Sequence, residues 1–256
     1  MTPARGAWVT HPSPRVAPAL RLFTFAHCGA GTRPFQLWPA GLPEAVEVCP
    51  VLLPGREARA AEPLLTTISE IADAAALAIA TELDLPCVLF GHSLGALLAF
   101  EVARRLGETG RHAGLLVVSA SAAPDEPAPA VRPAIHDLDD DAFLEAVAGF
   151  GALPEELRTD GEMRAEMLPA LRADFAAVEG YVFTAGAPLP VPITAIGGTE
   201  DATVSRAALE GWRRQTSRRF SLSLQPGGHF YPARSRTTLL RMLAREILAV
   251  DPSAGD

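Results

Sequence analysis

Cys87–Leu106 reads CVLFGHSLGALLAFEVARRL, and the reading of the whole chain grows out of this stretch. Cys87–Phe90 is an unbroken apolar run of strand length, and from Gly95 to Leu106 apolar residues recur at helical spacing. Between them stands Gly91-His92-Ser93-Leu94-Gly95, a G-x-S-x-G pentapeptide. Alone, such a pentapeptide arises often by chance. Set between a strand and a helix, it is the turn that lifts a serine above the end of a sheet. The glycines suit a turn too tight for a Cβ. The helix start that follows offers unpaired N–H groups to developing negative charge. The bland alternative is a glycine-rich strand-to-helix turn with no chemistry.

Outward from this stretch, strand-like runs recur at Leu20–Phe25, Val46–Leu53, Leu115–Ser119, Ile193–Ile196 and Phe220–Leu224. Several are continuously apolar, as strands buried on both faces of a parallel sheet are. Helical patterns fill gaps between them at Ile68–Leu83, Gly95–Leu106 and Ala207–Thr216. Alternation of this kind predicts an α/β fold, a mostly parallel central sheet flanked by helices. Residues 125–190 break the alternation: a Pro-rich joint, then helical patterns and no convincing strand. A helical lid over the strand ends is expected there, an ordinary pair of crossover helices being the alternative. The division is then a core of residues 19–124 and 191–250, a lid of 125–190, and flexible tails at 1–18 and 251–256.

A serine hydroxyl needs a base, and the base needs a group to orient it. When the serine sits on such a turn, the chain order is serine, acid, histidine, each after a strand. Asp201 ends ITAIGGTED just past one predicted strand, with Glu200 as the competing acid. His229 stands in QPGGHF just past the next, and loops after strands converge at one end of a parallel sheet. His11, His112 and His136 read as plain polar residues, and His92, inside the turn, as facing away from the reacting centre. Backbone N–H groups must hold an oxyanion. One is expected from Leu94, the other from the loop Ala26–Gly31, assigned to Cys28 with His27 as fallback. Cys28 as a reactive thiol is the lesser alternative, since no histidine pairs with it by position.

With 48% hydrophobic and 20% charged residues among 256, a large core is expected and global disorder is not. A net charge of −8 argues against a nucleic-acid surface. The basic residues are all arginine. Cys28, Cys49 and Cys87 have no metal-ligand spacing and imply no disulfide framework, and the latter two read as buried thiols. There is no signal-like or membrane-spanning run, so the expected location is cytoplasmic, without a membrane partner. No metal or redox cofactor is called for, and a monomer is expected.

LRLFTFAHCGAGTRPFQLWPAGLP, LLPGREAR, LFGHSLGALLAFEVARRL, LPALRADFAAVEGY, PITAIGGTEDATV and PGGHF, in that order, resemble the successive motifs of the type II thioesterases. These are stand-alone enzymes of polyketide and nonribosomal peptide assembly lines. The resemblance runs from about Leu20 to Phe230. Its LPGRE and LRADF segments are more specific than G-x-S-x-G, because the fold alone demands neither. It implies the α/β-hydrolase fold with a mobile helical lid over residues 125–190. It implies Ser93, Asp201 and His229 as catalytic residues, and acyl groups on the phosphopantetheine arm of carrier proteins as substrate. Stalled or aberrant groups would be removed from that arm. The sequence departs from the family's usual pattern at AHCGAG, which alters the oxyanion wall, and at SASAAPDE, where an Arg-rich segment is common. Both departures bear on acyl preference.

An acidic enzyme docking an acidic carrier needs a local basic patch. Arg213, Arg214, Arg218 and Arg219 in GWRRQTSRRF are candidates, with a solvated helix face as the alternative. Rival readings are a carboxylesterase or lipase of the same fold, a thioesterase that releases one finished product, and a non-catalytic carrier-binding module.

Overall fold

The computed structural model describes residues 7–126, 134–151, 153 and 156–249. The end of the chain from 250, the first six residues and most of the Pro-rich joint (127–133) lie outside the described residues.

Six strands form one sheet: β1 Leu20–Phe25, β2 Val46–Pro50, β3 Cys87–His92, β4 Leu115–Ser119, β5 Ile193–Gly198 and β6 Phe220–Gln225. Their order is β2-β1-β3-β4-β5-β6, and all five pairings are parallel. β1 to β5 are buried almost throughout, which is why they read as unbroken apolar runs. The order reverses between β1 and β3, so the loops leaving these two strands diverge and open a crevice at their C-terminal ends.

Helices cover both faces. On one lie α1 (Ile68–Ala80) and α2 (Leu94–Glu108), whose apolar stripes pack with Phe23, Leu89 and Val118. Thr67 caps α1, its Oγ1 accepting from the Glu70 amide while its hydroxyl donates to the Glu70 carboxylate (2.6 Å). On the other face lies α8 (Arg236–Leu248), with Leu239, Leu240 and Leu243 buried beside Phe35, Trp38 and Phe90. No helix is expected there from the sequence. Three arginines in RTTLLRMLAREIL obscure an apolar stripe that nonetheless faces the sheet.

α3 (Asp140–Ala148), α4 (Glu156–Thr159) and α5 (Gly161–Glu179) lie between β4 and β5, and no strand of the sheet falls there among the described residues. They share a small core of their own around Phe143, Leu157, Leu168 and Phe175. Pro169 sits inside α5. The helical stretch expected at Ala207–Thr216 is a short α6 (Arg206–Glu210) continued by a 3-10 turn to Gln215. A last short helix, α7 (Tyr231–Arg234), precedes α8.

The expected tail at 1–18 is corrected for its described part. Val9 is buried and forms an antiparallel bridge with Val51, flanked by Thr10 N–H donating to Pro50 O (3.0 Å) and Leu52 N–H to Trp8 O (2.7 Å). Arg59 stacks on the Trp8 ring, and His11 sits between Glu47 and Glu82. Prolines spaced through this segment hide an extended strap that hydrogen-bonds on one side only.

Candidate active site

Ser93 follows β3 at the sheet's reversal point and begins α2. Its backbone is at φ 56°, ψ −119°, outside the regions open to L-residues at low cost. Two tight contacts hold it there. A Cβ on Gly91 would fall 1.9 Å from Gly95 O, and one on Gly95 would fall 2.2 Å from Phe25 O. Ser93 N–H donates to Ser119 O (2.8 Å), so its own amide is engaged while its side chain projects into a cavity.

His229 lines the same cavity. Its Nδ1 lies 2.9 Å from Asp201 Oδ2, and since a carboxylate only accepts, Nδ1 carries the proton and Nε2 is left free. Asp201 Oδ1 accepts from Thr203 N–H (2.8 Å), Thr203 Oγ1 (2.6 Å) and Val204 N–H (3.2 Å). Burial pushes the Asp201 carboxyl up, but these bonds with His229 and Thr203 outweigh it and bring it to about 2. Glu200, the competing acid, is exposed, and Asp201 is the residue on the imidazole. No hydrogen bond joins Ser93 to His229 in this state, a looseness common in unliganded sites.

Leu94 N–H opens α2 and has no partner within the helix. Cys28 N–H has no backbone acceptor either. His27 and Cys28 both line the cavity with Ser93. Burial, with Asp174 adding to it, pushes the Cys28 thiol well above its ordinary range, which disfavours the thiolate a reactive cysteine needs. Cys49 and Cys87 are buried free thiols, as expected.

His92 does not line the Ser93 cavity, but its ring centroid is only 5.4 Å from that of His229. Its Nδ1 lies 2.8 Å from Ser119 Oγ, which in turn lies 2.7 Å from Tyr231 OH, a buried chain that braces the turn from below. Burial lowers His92 well below its usual value, and burial followed by the nearby His229 lowers His27 to about 4. Folding therefore favours both rings neutral. Their stabilisation is full above pH ~6.5, where the unfolded imidazoles are neutral, and is lost as pH falls from there through about 4. Asp201, with its carboxyl held low, adds loss only below pH ~4. The urea midpoint is expected to drop from pH 7 to pH 5, with part of that slope removed in His27→Gln. A variant slope equal to wild type contradicts this.

The cavity measures about 470 Å³ and is mostly apolar. Its roof comes from the segment between β4 and β5, through Val147 and Phe150 at and just past the end of α3 and Met167, Leu171 and Phe175 of α5. Arg213 and Arg214, candidates for a basic docking patch, do not line this cavity. Arg214 donates to Asp125 (2.7 Å) and to Glu126 (2.5 Å), and Arg213 stacks on Phe220, 4.9 Å from the ring centroid. Arg219 pairs with Glu246. Carboxylates that neutralise Arg214 and Arg219 come from distant segments, which local charge counting does not see.

Arg56 and Asp174, from the LPGRE and LRADF segments, were given no role by sequence, and they meet under the site. Asp174 is fully buried and takes both terminal nitrogens of Arg56 at 2.7 Å. The only hint was that neither segment is demanded by the fold.

A serine raised on a strained turn, an imidazole fixed by a carboxylate and two unengaged amides can attack a carbonyl and hold the resulting oxyanion. Fold and turn together define an α/β-hydrolase, with the serine on its nucleophile elbow. Residues 20–247 match the thioesterase domain family. Gramicidin S biosynthesis protein GrsT of Aneurinibacillus migulanus is 35% identical over 244 residues, 95% of this chain and 94% of its own. Among solved structures, the type II thioesterase BorB from the borrelidin biosynthetic cluster superposes with a TM-score of 0.84 at 30% identity, over 94% of this chain and 96% of its own. RedJ, the thioesterase from the prodiginine biosynthetic pathway in Streptomyces coelicolor, gives 0.78 at 34%, over 92% of each. This chain belongs to the thioesterase family and is a thioester hydrolase of the serine-hydrolase type. Among the described residues no helix is long and apolar enough to cross a membrane.

Proposed function

We propose that the enzyme is a type II thioesterase that hydrolyses acyl groups from the phosphopantetheine arm of carrier proteins in a polyketide or nonribosomal peptide pathway, clearing stalled or aberrant groups. The observation that carries the reading is Ser93 on its strained turn, facing an apolar cavity beside an imidazole bonded to Asp201. Similarity to GrsT, BorB and RedJ supports the pathway class.

In this mechanism His229 Nε2 takes the Ser93 proton as Oγ attacks the thioester carbonyl. Asp201 holds the imidazole in the tautomer that can do so and stabilises the imidazolium. The amides of Leu94 and Cys28 receive the oxyanion, and the pantetheine thiol leaves with the proton from His229. Water, deprotonated by His229, then attacks the acyl-Ser93 ester and releases the acid. The apolar cavity receives the acyl group and selects it by size. Residues 125–190 act as a lid that admits it. No metal or redox cofactor takes part in these steps.

A panel of acyl-carrier proteins, short and long, incubated with the enzyme and followed by intact-protein mass spectrometry tests this. Slow release of many short groups is expected. Fast release of a single long chain with the rest untouched would replace the clearing role with product release. Carriers left fully acylated while simple esters are cleaved would make the enzyme a carboxylesterase.

A further inference from the structure

The loop after β1 forms a turn, His27-Cys28-Gly29-Ala30, closed by Ala30 N–H donating to His27 O (3.1 Å). Gly29, its third residue, has φ +75°, the mark of a type II turn. Type I and type II turns differ by a flip of the central peptide, here Cys28–Gly29. The N–H of that peptide donates to Asp174 Oδ2 at 2.7 Å. The same oxygen accepts from Arg56 Nη1, and Nη1 also donates to Ala30 O (3.1 Å). Thus one buried ion pair grips the turn at two peptides, Cys28–Gly29 through its N–H and Ala30–Gly31 through its carbonyl. Because the His27–Cys28 peptide is planar and trans, tying His27 O into the turn points Cys28 N–H the opposite way.

Burying two charges is costly, and apolar residues of similar volume often stabilise a fold as well or better. What an apolar pair cannot do is accept Gly29 N–H and donate to Ala30 O. Asp174 also belongs to α5, whose Leu171 sits against Gly29 so closely that a Cβ there would lie 2.7 Å from Leu171 Cδ1. The roof helix and the oxyanion loop are therefore one unit at this point.

We infer that Arg56 and Asp174 are positioning residues for the thioesterase reaction: by holding the peptides on both sides of Gly29–Ala30 they keep the loop after β1 closed in the turn that aims Cys28 N–H at the oxyanion. The inference rests on the proposed role of Ser93 and of the Cys28 amide. Neither side chain lines the Ser93 cavity. Their effect runs through the peptide they hold, so it falls on the transition state rather than on substrate binding.

The test uses Asp174→Asn, Arg56→Lys and the apolar double variant Arg56→Met/Asp174→Leu, each checked for folding by its melting curve. With an acyl-N-acetylcysteamine thioester, kcat is expected to fall about 10²–10³-fold, as for loss of one oxyanion donor, with KM within about threefold. Affinity for a trifluoromethyl ketone analogue, which forms a tetrahedral adduct, should fall in parallel, and affinity for a non-hydrolysable thioether analogue should not. If Asp174→Asn does not fold, the double variant, which carries no buried unpaired charge, decides. A folded variant with wild-type kcat and ketone affinity overturns the inference, as does a change confined to KM. Ser93→Ala is run beside them. Hydrolysis surviving in it sinks the Ser93 reading, whereas active Asp174 variants beside a dead Ser93→Ala sink only the positioning role.

Discussion

Ser93→Ala is expected to lower kcat by about 10⁵–10⁶-fold, because triad members act as a unit and removal of the nucleophile removes the covalent route altogether. On the proposed mechanism, only the amides of Leu94 and Cys28 and binding are left to supply the residual rate. Wild-type enzyme quenched within the first turnover should show the mass of one acyl group on the protein, and Ser93→Ala should show none. The fold should be unaffected. Ser93 already occupies φ 56°, so alanine inherits the same backbone strain, and its Oγ makes no hydrogen bond whose loss would cost stability. A melting temperature within a degree or two of wild type, together with lost turnover, separates chemistry from folding. An acyl adduct persisting on Ser93→Ala would place the nucleophile elsewhere.

Gly95→Ala carries the largest expected loss of stability. The new Cβ would lie 2.2 Å from Phe25 O and 2.7 Å from Ala26 O, both backbone atoms at the end of a buried strand. Backbone in the middle of a sheet cannot yield as a flexible side chain can, so α2 must lift away from β1 and carry Ser93 with it. A cost of about 4 kcal/mol or more is expected, at the far end of single-substitution effects. For a domain of this size that is a fall of roughly 8–16 °C in melting temperature. Gly161→Ala is the control: a Cβ there meets nothing within 4 Å and begins a helix, where alanine is favoured. Melting of Gly95→Ala within 3 °C of wild type would contradict the packing argument, whatever its activity.

The parallel core was legible because strands covered on both faces are written as mostly apolar runs, as β1 to β5 are, while the half-buried edge strand β6 shows instead as the alternation FSLSL. The elbow was legible because Gly91 and Gly95 answer to local steric demands. Asp201 and His229 could be located because each follows a strand, and strand ends converge. Long-range pairing was not legible. The Arg56–Asp174 pair joins positions 118 apart in sequence, and nothing in either segment names the other. The same holds for the carboxylates that pair with Arg214, which sequence offers only as a member of a candidate basic patch. The strap at Trp8–Arg15 escaped for a different reason. A segment with one-sided hydrogen bonding has neither period 2 nor period 3.6, and its prolines imitate a linker.

That strap changes what the rim of the sheet exposes. β2 is an outermost strand, and past its last residue Pro50 O and Leu52 N–H would face outward as an unfilled donor and acceptor row, the template on which chains pair edge to edge. Residues 8–10 fill it from within the same molecule, and Arg15 closes the next stretch by holding Glu44 and Glu47. Residues 8–15, whose prolines imitate a linker, thus occupy that edge from within the chain, and a variant lacking them would leave Pro50 O and Leu52 N–H without these partners.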